Sequence, residues 1–237
     1  MESAYRAPAP IGTFVLPKIF FCYTSHMIIT YHGADFFKVS FGDTTIAVNP
    51  ISKDSKLKQT RFGSDITLVS LNSPEHNGSD ATSRGEKESF LIQGPGEYEV
   101  SGVFIKGFLS KSNYSGKETI NTIYTVSLEG MNLGFLGALS DKDLSAEAKE
   151  ALDGIDILFV PIGGEGVLDA TTAHKLAVQF EPSFIIPSHF GDLGNANALK
   201  TFLKEAGEEN VKPVDKLTIK KKDLEGAEGD VVVLDSI

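Results

Sequence analysis

The sequence predicts an α/β sandwich in which two β-sheets are covered by helices. Short apolar, β-rich runs separated by turn residues fill the chain from Met27 to about Leu136. Strand-like and helix-like segments then alternate from Ser145 onwards. A block of antiparallel strands followed by alternating strands and helices is typical of two packed sheets with helices outside them.

The strand predictions rest on apolar runs bounded by Gly, Pro, Asn, Asp and Ser. Gly42-Asp43 and Glu129-Gly130 each mark a tight hairpin turn. The predicted strands of this first block are 27–31, 36–41, 44–48, 66–71, 90–92, 97–100, 103–108, 122–128 and 131–136. The polar stretches 77–89 and 110–117 are predicted to be loops.

The second half of the chain adds the helices. Ser145 is expected to cap a helix over 145–152, and Asp169 to cap an amphipathic helix over 171–180. A third helix is predicted over 195–206. The strands predicted around these helices are 155–161, 183–187, 216–219 and 231–234.

Composition excludes several classes of function. The formal net charge of the 237 residues is -10, which argues against a nucleic-acid-binding protein because phosphate contact needs clustered Lys and Arg. No stretch approaches the roughly 20 apolar residues of a membrane span. The single cysteine, Cys22, excludes an internal disulfide framework and favours a cytoplasmic location.

The first 26 residues differ from the rest of the chain. Pro8, Pro10 and Pro17 interrupt them, and the acidic Glu2 does not fit the basic start of a signal peptide. Residues 1–26 are therefore predicted to be a loosely attached extension, and 27–237 a single domain that begins at Met27. A weak export signal and an additional packed strand are the alternatives for this segment.

Glu75 and His76 follow the strand predicted over 66–71 and its Asn-Ser-Pro terminator. Side chains just past a strand end are held firmly and still reach solvent, which is where catalytic and binding residues concentrate. A neighbouring carboxylate and imidazole there have the chemistry of metal ligands or of an acid–base pair. The alternative is a pair of solvated loop residues.

The order of elements, together with several short stretches, resembles the metallo-β-lactamase superfamily, and in detail its small metal-dependent hydrolase branch with ascorbate-phosphate lactonase-like proteins. The matching stretches are Met27-Ile-Ile-Thr-Tyr-His-Gly33, Thr45-Ile-Ala-Val-Asn-Pro50, Gly94-Pro-Gly-Glu-Tyr98, Asp156-Ile-Leu-Phe-Val-Pro-Ile-Gly-Gly164, Leu168-Asp-Ala170 and Ile186-Pro-Ser-His-Phe190. The resemblance implies a four-layer αββα sandwich and a metal centre at one end of it.

The family signature His-x-His-x-Asp-His falls on Leu71-Asn-Ser-Pro-Glu-His76, so that Leu71 and Ser73 replace two histidines. The carboxylate that bridges two metal ions in the family falls on Ala138. The resemblance leaves Glu75, His76 and His189 as ligands of one metal ion. The alternative is that His76 and His189 bond to each other or to Glu75 without a metal.

Loss of the bridge predicts a degenerate metal centre and a binding or interaction protein, with no cofactor or, if any, zinc. The expected partner is a small anionic ligand or a protein, and a homo-oligomer is one form of the latter. One rival is a mononuclear zinc hydrolase acting on an ester, lactone or phosphodiester through Glu75, His76 and His189. In a further rival hypothesis the fold is kept for oligomerisation alone, and Phe or Tyr filling the space near Leu71 would favour it.

The other histidines are not expected to belong to the site. His32 is expected to be structural, and His174 is expected to be partly exposed.

Overall fold

Thirteen strands and three α-helices form the regular structure of the described part of the chain. The computed structural model describes residues 26–83, 85, 88–114 and 116–237, so the predictions for residues 1–25 lie outside it. The strands are β1 Met27–Tyr31, β2 Phe37–Phe41, β3 Thr44–Val48, β4 Ile66–Leu68, β5 Phe90–Ile92, β6 Gly96–Val100, β7 Val103–Ser112, β8 Thr119–Leu128, β9 Met131–Phe135, β10 Ile157–Pro161, β11 Phe184–Ser188, β12 Leu217–Ile219 and β13 Asp230–Val231. The α-helices are α1 Ala146–Leu152, α2 Ala170–Ala177 and α3 Ala198–Ala206, and 3₁₀ turns cover Ser79–Ala81, Val178–Phe180 and Lys221–Leu224.

The strands form two sheets of mixed direction. The six-stranded sheet has the order β12-β1-β2-β3-β4-β5, and the seven-stranded sheet has the order β13-β11-β10-β9-β8-β7-β6. Hairpins join β1 to β2 and β2 to β3, while β3, β4 and β5 run parallel. In the second sheet β9, β10 and β11 are parallel, and their connections carry α1 and α2.

The two sheets bury one face of each against the other. Alternate residues of every long strand point into this core, as period-two side chains of a strand must. Ile157 and Phe159 of β10 lie in it, whereas Leu158 and Val160 lie on the opposite face under the helices. Aromatic rings fill its centre, where Phe159 stacks on Phe135 at 4.2 Å between ring centroids.

The predicted α/β sandwich is confirmed, and its helices are distributed unevenly. In the described residues α1, α2 and α3 cover the outer face of the seven-stranded sheet. The outer face of the six-stranded sheet carries partly exposed polar residues such as Lys38, Ser40 and Thr45. A small cluster of Ala34, Phe36, Ala47 and Ile51, with Leu57 and Phe62 from the following loop, is the apolar cover there. The fourth layer is thus built mainly from a loop, because this face offers little apolar area to a helix.

Some element bounds differ from the predictions. The β7–β8 hairpin continues to the pair Ser112 and Thr119, although residues 110–117 are polar and predicted to be a loop. The ion pair between Lys111 and Glu118, 3.1 Å from Nζ to Oε1, supports these solvated last rungs. The helix predicted over 195–206 begins only at Ala198. The predicted caps of α1 and α2 are confirmed, since the side chain of Ser145 accepts from Ala148 N and that of Asp169 from Thr172 N.

The strand ends that matter for the site lie at one end of the sandwich. β1 and β4 end at that end in one sheet, and β11 ends there in the other. The segments that follow these three strands carry Asp35, His76 and His189. None of the described helices is long and apolar enough to cross a lipid bilayer.

Candidate metal centre

The turn after β4 places His76 by backbone hydrogen bonds. Its own N–H donates to Ser73 O at 2.9 Å, and Gly78 N donates to Pro50 O at 2.7 Å. A Cβ at position 78 would lie 2.3 Å from the carbonyl carbon of Ile51, so only glycine lets the two segments approach this closely. The turn is therefore fixed on the segment that follows β3, and the imidazole points inwards.

His189 is held by the sheet end from which it departs. Its backbone is left-handed, with φ of 57°, directly after β11. Its N–H donates to Ala34 O at 2.7 Å, and a Cβ on Gly163 would lie 2.3 Å from its carbonyl oxygen. A non-glycine residue at positive φ is uncommon and costs about 1–3 kcal/mol, so the surrounding contacts must enforce it.

Asp35 joins the two imidazoles. One ligand atom from each of Asp35, His76 and His189 lies within 4.8 Å of the others, and we call these three residues the donor group. The Nε2 atoms of the two histidines are 2.9 Å apart, and their rings stack with centroids 5.0 Å apart. The residues are 3%, 0% and 1% exposed, respectively, so the donor group is closed to bulk water.

Polar neighbours orient the donor group. Ser73 Oγ lies 2.8 Å from His76 Nδ1, which directs Nε2 towards His189. Asn49 donates from Nδ2 to Asp35 Oδ2 at 2.6 Å and accepts from Ser70 N at 2.7 Å. Partners that orient ligating imidazoles and carboxylates in this way are typical of metal sites, and also of buried polar networks without a metal.

Burial shifts the protonation of all three groups. It lowers the pKa of His189 to about 3, and burial together with the charge of His189 lowers the pKa of His76 well below its usual value. Burial raises the pKa of Asp35 to about 7, against the effect of the hydrogen bond from Asn49. Each shift favours the neutral form, as expected when charge is removed from water. Neutral imidazoles are the form that binds a metal ion.

Apolar residues occupy the other side of the two histidines. Leu71, Ala138 and Val167 pack together with Tyr114, and we call these four residues the apolar cluster. Leu71 is 3% exposed and Ala138 is 0% exposed. The positions where the sequence resemblance implied a histidine and the bridging carboxylate therefore lie in a packed hydrophobic contact.

The predicted site residues divide in the structure. His76 and His189 come together and contact each other directly. Glu75 lies outside the donor group, and its Oε1 accepts a hydrogen bond from Ser55 Oγ at 3.1 Å. Asp35, which the sequence analysis did not select, supplies the carboxylate. Its one sequence signal is an isolated acidic residue between Ala34 and Phe36-Phe37, directly after a strand.

The other histidines fit their expectations. His32 is buried against Phe36 and Phe62, with ring centroids 5.0 and 5.4 Å away, and burial lowers its pKa to about 4. His174 lies in α2, half-buried, with its ring 5.7 Å from that of Phe202. Neither belongs to the donor group.

The donor types present fit one metal ion and do not fit two. Two neutral imidazoles and one carboxylate are a common ligand set for a single zinc or iron ion. A second ion would need oxygen or nitrogen ligands where Leu71 and Ala138 stand, and burying a cation against apolar side chains is strongly unfavourable. The geometry can thus hold one ion, or a hydrogen bond between the imidazoles.

Comparisons with known proteins agree with this fold. The sequence profile described as a beta-lactamase superfamily domain matches residues 28–189. A proposed zinc-dependent hydrolase of the metallo-beta-lactamase superfamily from Thermotoga maritima is 25% identical with a TM-score of 0.68, over 88% of this chain and 98% of that one. A proposed metal-dependent hydrolase from Parabacteroides distasonis is 18% identical, with a TM-score of 0.62 over 89% and 94% of the two chains.

A third structure shares the fold at lower identity. The metallo hydrolase Igni18 from Ignicoccus hospitalis is 17% identical with a TM-score of 0.61, over 82% of this chain and 99% of that one. The family match covers well over half of the chain, and the two-sheet architecture agrees with it. The chain belongs to the metallo-β-lactamase superfamily.

Proposed function

We propose that this protein acts by binding a partner and does not hydrolyse a substrate at a two-metal centre. One observation carries the proposal: the donor group is buried at 3%, 0% and 1% exposure, and Tyr114 of the apolar cluster packs on both of its imidazoles. A metal-dependent hydrolase needs an open coordination position where water and substrate meet. In the described residues Tyr114 covers both imidazoles, so the donor group offers no open position on that side.

The substituted positions support the same conclusion. Ser73 stands where the family signature has a second histidine, and its hydroxyl is used to orient His76. Ala138 stands where the bridging carboxylate would be, and it is fully buried. Without the second ion and the bridge, the centre also lacks the charge that lowers the pKa of a metal-bound water and stabilises an oxyanion.

Tyr114 distinguishes between the kinds of partner. Phe or Tyr near Leu71 is the arrangement expected if the fold is kept for oligomerisation. Tyr114 packs on Leu71 and on both imidazoles. This favours a second copy of this chain as the partner. We also propose a cytoplasmic location.

A mononuclear metal hydrolase is the second candidate, and the donor group is the observation that favours it. Asp35 takes the place proposed for Glu75, beside His76 and His189. One ion held by these residues would act as a Lewis acid and activate a water molecule. Asn49 and Ser73 would keep the carboxylate and one imidazole in position for it.

Metal content and turnover separate the two candidates. Protein purified without a histidine tag is analysed for metal before and after zinc addition, and is assayed with ester, lactone and phosphodiester substrates. We expect no turnover at either stage and at most one zinc per chain. His189→Ala should remove any bound zinc, whereas His174→Ala, outside the donor group, should not.

Turnover that requires zinc and is lost in His189→Ala would overturn the proposal and establish the mononuclear hydrolase. Two zinc ions per chain would contradict both candidates. Absence of turnover with zero or one zinc ion per chain would support the proposal that the protein binds a partner. Size-exclusion chromatography and cross-linking would then identify that partner.

A further inference from the structure

The ring of Tyr114 packs against the rings of His76 and His189, where a bound ligand could also lie. Its ring centroid lies 5.3 Å from that of His76 and 5.3 Å from that of His189, with interplanar angles of 78° and 83°. The two imidazoles are nearly parallel to each other, at 22°. Edge-to-face contact at this distance is a favourable arrangement for aromatic rings. The imidazole pair thus presents one surface, and the phenol ring fills it.

The other contacts of the ring in the described residues are apolar. The apolar residues Leu71, Ala138 and Val167 pack against it. The ring is half-buried, so one side of the space that it fills reaches solvent.

The backbone of Tyr114 is docked independently of its ring. Asn113 N donates to Gly166 O at 3.2 Å. A Cβ on Gly166 would lie 2.6 Å from Asn113 O and 2.6 Å from Tyr114 Cα. Only glycine at 166 permits this approach, and its φ of 102° is a second reason for glycine there.

The walls around the ring come from other parts of the chain. Leu71 and His76 follow β4, Ala138 follows β9, and His189 follows β11. These residues are buried and held by their own contacts. Removal of the Tyr114 side chain should therefore leave a preformed space, because packed interiors relax only partially around a deleted side chain.

We propose that Tyr114 is the built-in occupant of a binding site for a phenolic ring, and that the site accepts a para-substituted phenol when this side chain is removed or displaced. A preformed cavity that stays open when a side chain is deleted binds aromatic molecules of the size of that side chain. The inference rests on the proposed function, since an open hydrolytic centre would leave this space to water and substrate.

The test uses p-cresol, the side-chain analogue of tyrosine, with the full chain. Tyr114→Ala is titrated with p-cresol while thermal unfolding and the NMR signals of the histidine rings are followed. We expect p-cresol to raise the Tm of Tyr114→Ala, to shift two histidine ring signals, and to bind at least about tenfold more tightly than to the wild type. Tyr98→Ala, which removes a half-buried tyrosine from β6, should behave like the wild type.

Gly166→Ala supplies a second route if Tyr114→Ala does not fold. The added methyl group should displace the Asn113–Tyr114 backbone and withdraw the ring, so this variant should also gain p-cresol binding. Gly164→Ala is its matched control, because position 164 also has a positive φ, 65°, but its Cβ meets nothing within 4 Å.

A folded Tyr114→Ala or Gly166→Ala protein that binds p-cresol no better than its control would overturn the inference. Equal binding by the wild type would also overturn it, because Tyr114 would then not be the occupant. Zinc-dependent turnover by the wild type would refute the proposed function separately, since the p-cresol titration does not depend on turnover.

Discussion

The two sides of the histidine pair differ in chemistry, since one is polar and the other is apolar. On one side, the donor group retains two imidazoles, a carboxylate and the residues that orient them. On the other side, the apolar cluster replaces ligands by packed side chains. A buried polar network is stable only when its members are satisfied by one another, and an apolar cluster only when it excludes water. The contrast makes separate predictions for each side.

The largest effect is expected from a charge placed in the apolar cluster. Ala138→Asp places a carboxylate at a fully buried position, where the sequence resemblance implies the bridging carboxylate of the family. In metal-free protein it should lower the free energy of unfolding by about 3–5 kcal/mol, because an unpaired buried charge is not compensated by Leu71 or Val167. Urea denaturation measures this change.

The same substitution at Ala146, exposed in the first turn of α1, is the control. Ala146→Asp should stay within about 0.5 kcal/mol of the wild type, since a negative charge is tolerated near a helix N-terminus. An Ala138→Asp protein as stable as the wild type that takes up two zinc ions would remove the distinction between the two sides.

The next effect, smaller per pH unit than that of Ala138→Asp, is expected from pH, through the buried histidines. The pKa values of His189 and His32 are lowered to about 3 and about 4, and that of His76 is also lowered, so these groups take up protons on unfolding as pH falls below their usual 6.5. The pKa of Asp35 is raised from its usual 3.8 to about 7, so between these pH values this group makes the folded state more stable as pH falls. Because three histidines oppose the single aspartate, the protein should keep its stability above pH 6.5 and lose it towards pH 4.

The free energy of unfolding should change by no more than about 1.4 kcal/mol per pH unit for each net proton taken up on unfolding. Urea denaturation of chelator-treated protein between pH 4 and 7.5 measures it, and His32→Gln should reduce the slope without altering the donor group. Stability that increases on acidification would show instead that a charged imidazole pairs with Asp35.

The smallest effect is expected from the orienting hydroxyl. Ser73→Ala removes the 2.8 Å contact to His76 Nδ1 and should cost about 1–2 kcal/mol, because that nitrogen stays buried without a partner. Ser55→Ala, which removes the contact to Glu75, should cost less than about 0.5 kcal/mol at a partly exposed position. Equal costs, measured by urea denaturation, would argue that Glu75 and His76 belong to one network.

The sequence predicted the framework better than the site. The bounds of β1, β3 and β5 and the caps of α1 and α2 agree with the predictions because local patterns determine them. The last rungs of β7 and β8 were missed because cross-strand pairing, not local composition, stabilises them.

Asp35 was missed for a related reason. The approach of its carboxylate to His76 and His189 depends on how three separate strand ends meet, and no local pattern reports that distance. The resemblance identified two of the three donors by position in a motif. The third donor, Asp35, lies in a segment where the family motif has no carboxylate.

The separation of the donors along the chain has a consequence for biosynthesis. His76 and His189 are 113 residues apart, and the N–H of His189 also bonds to Ala34 O at the end of the first hairpin segment. A chain emerging from the ribosome therefore leaves Asp35 and His76 without this partner until His189 has been made. Contacts this distant in sequence form late and slow folding. The paired imidazoles consequently report, as a single NMR signature, that the segments after β1, β4 and β11 have come together.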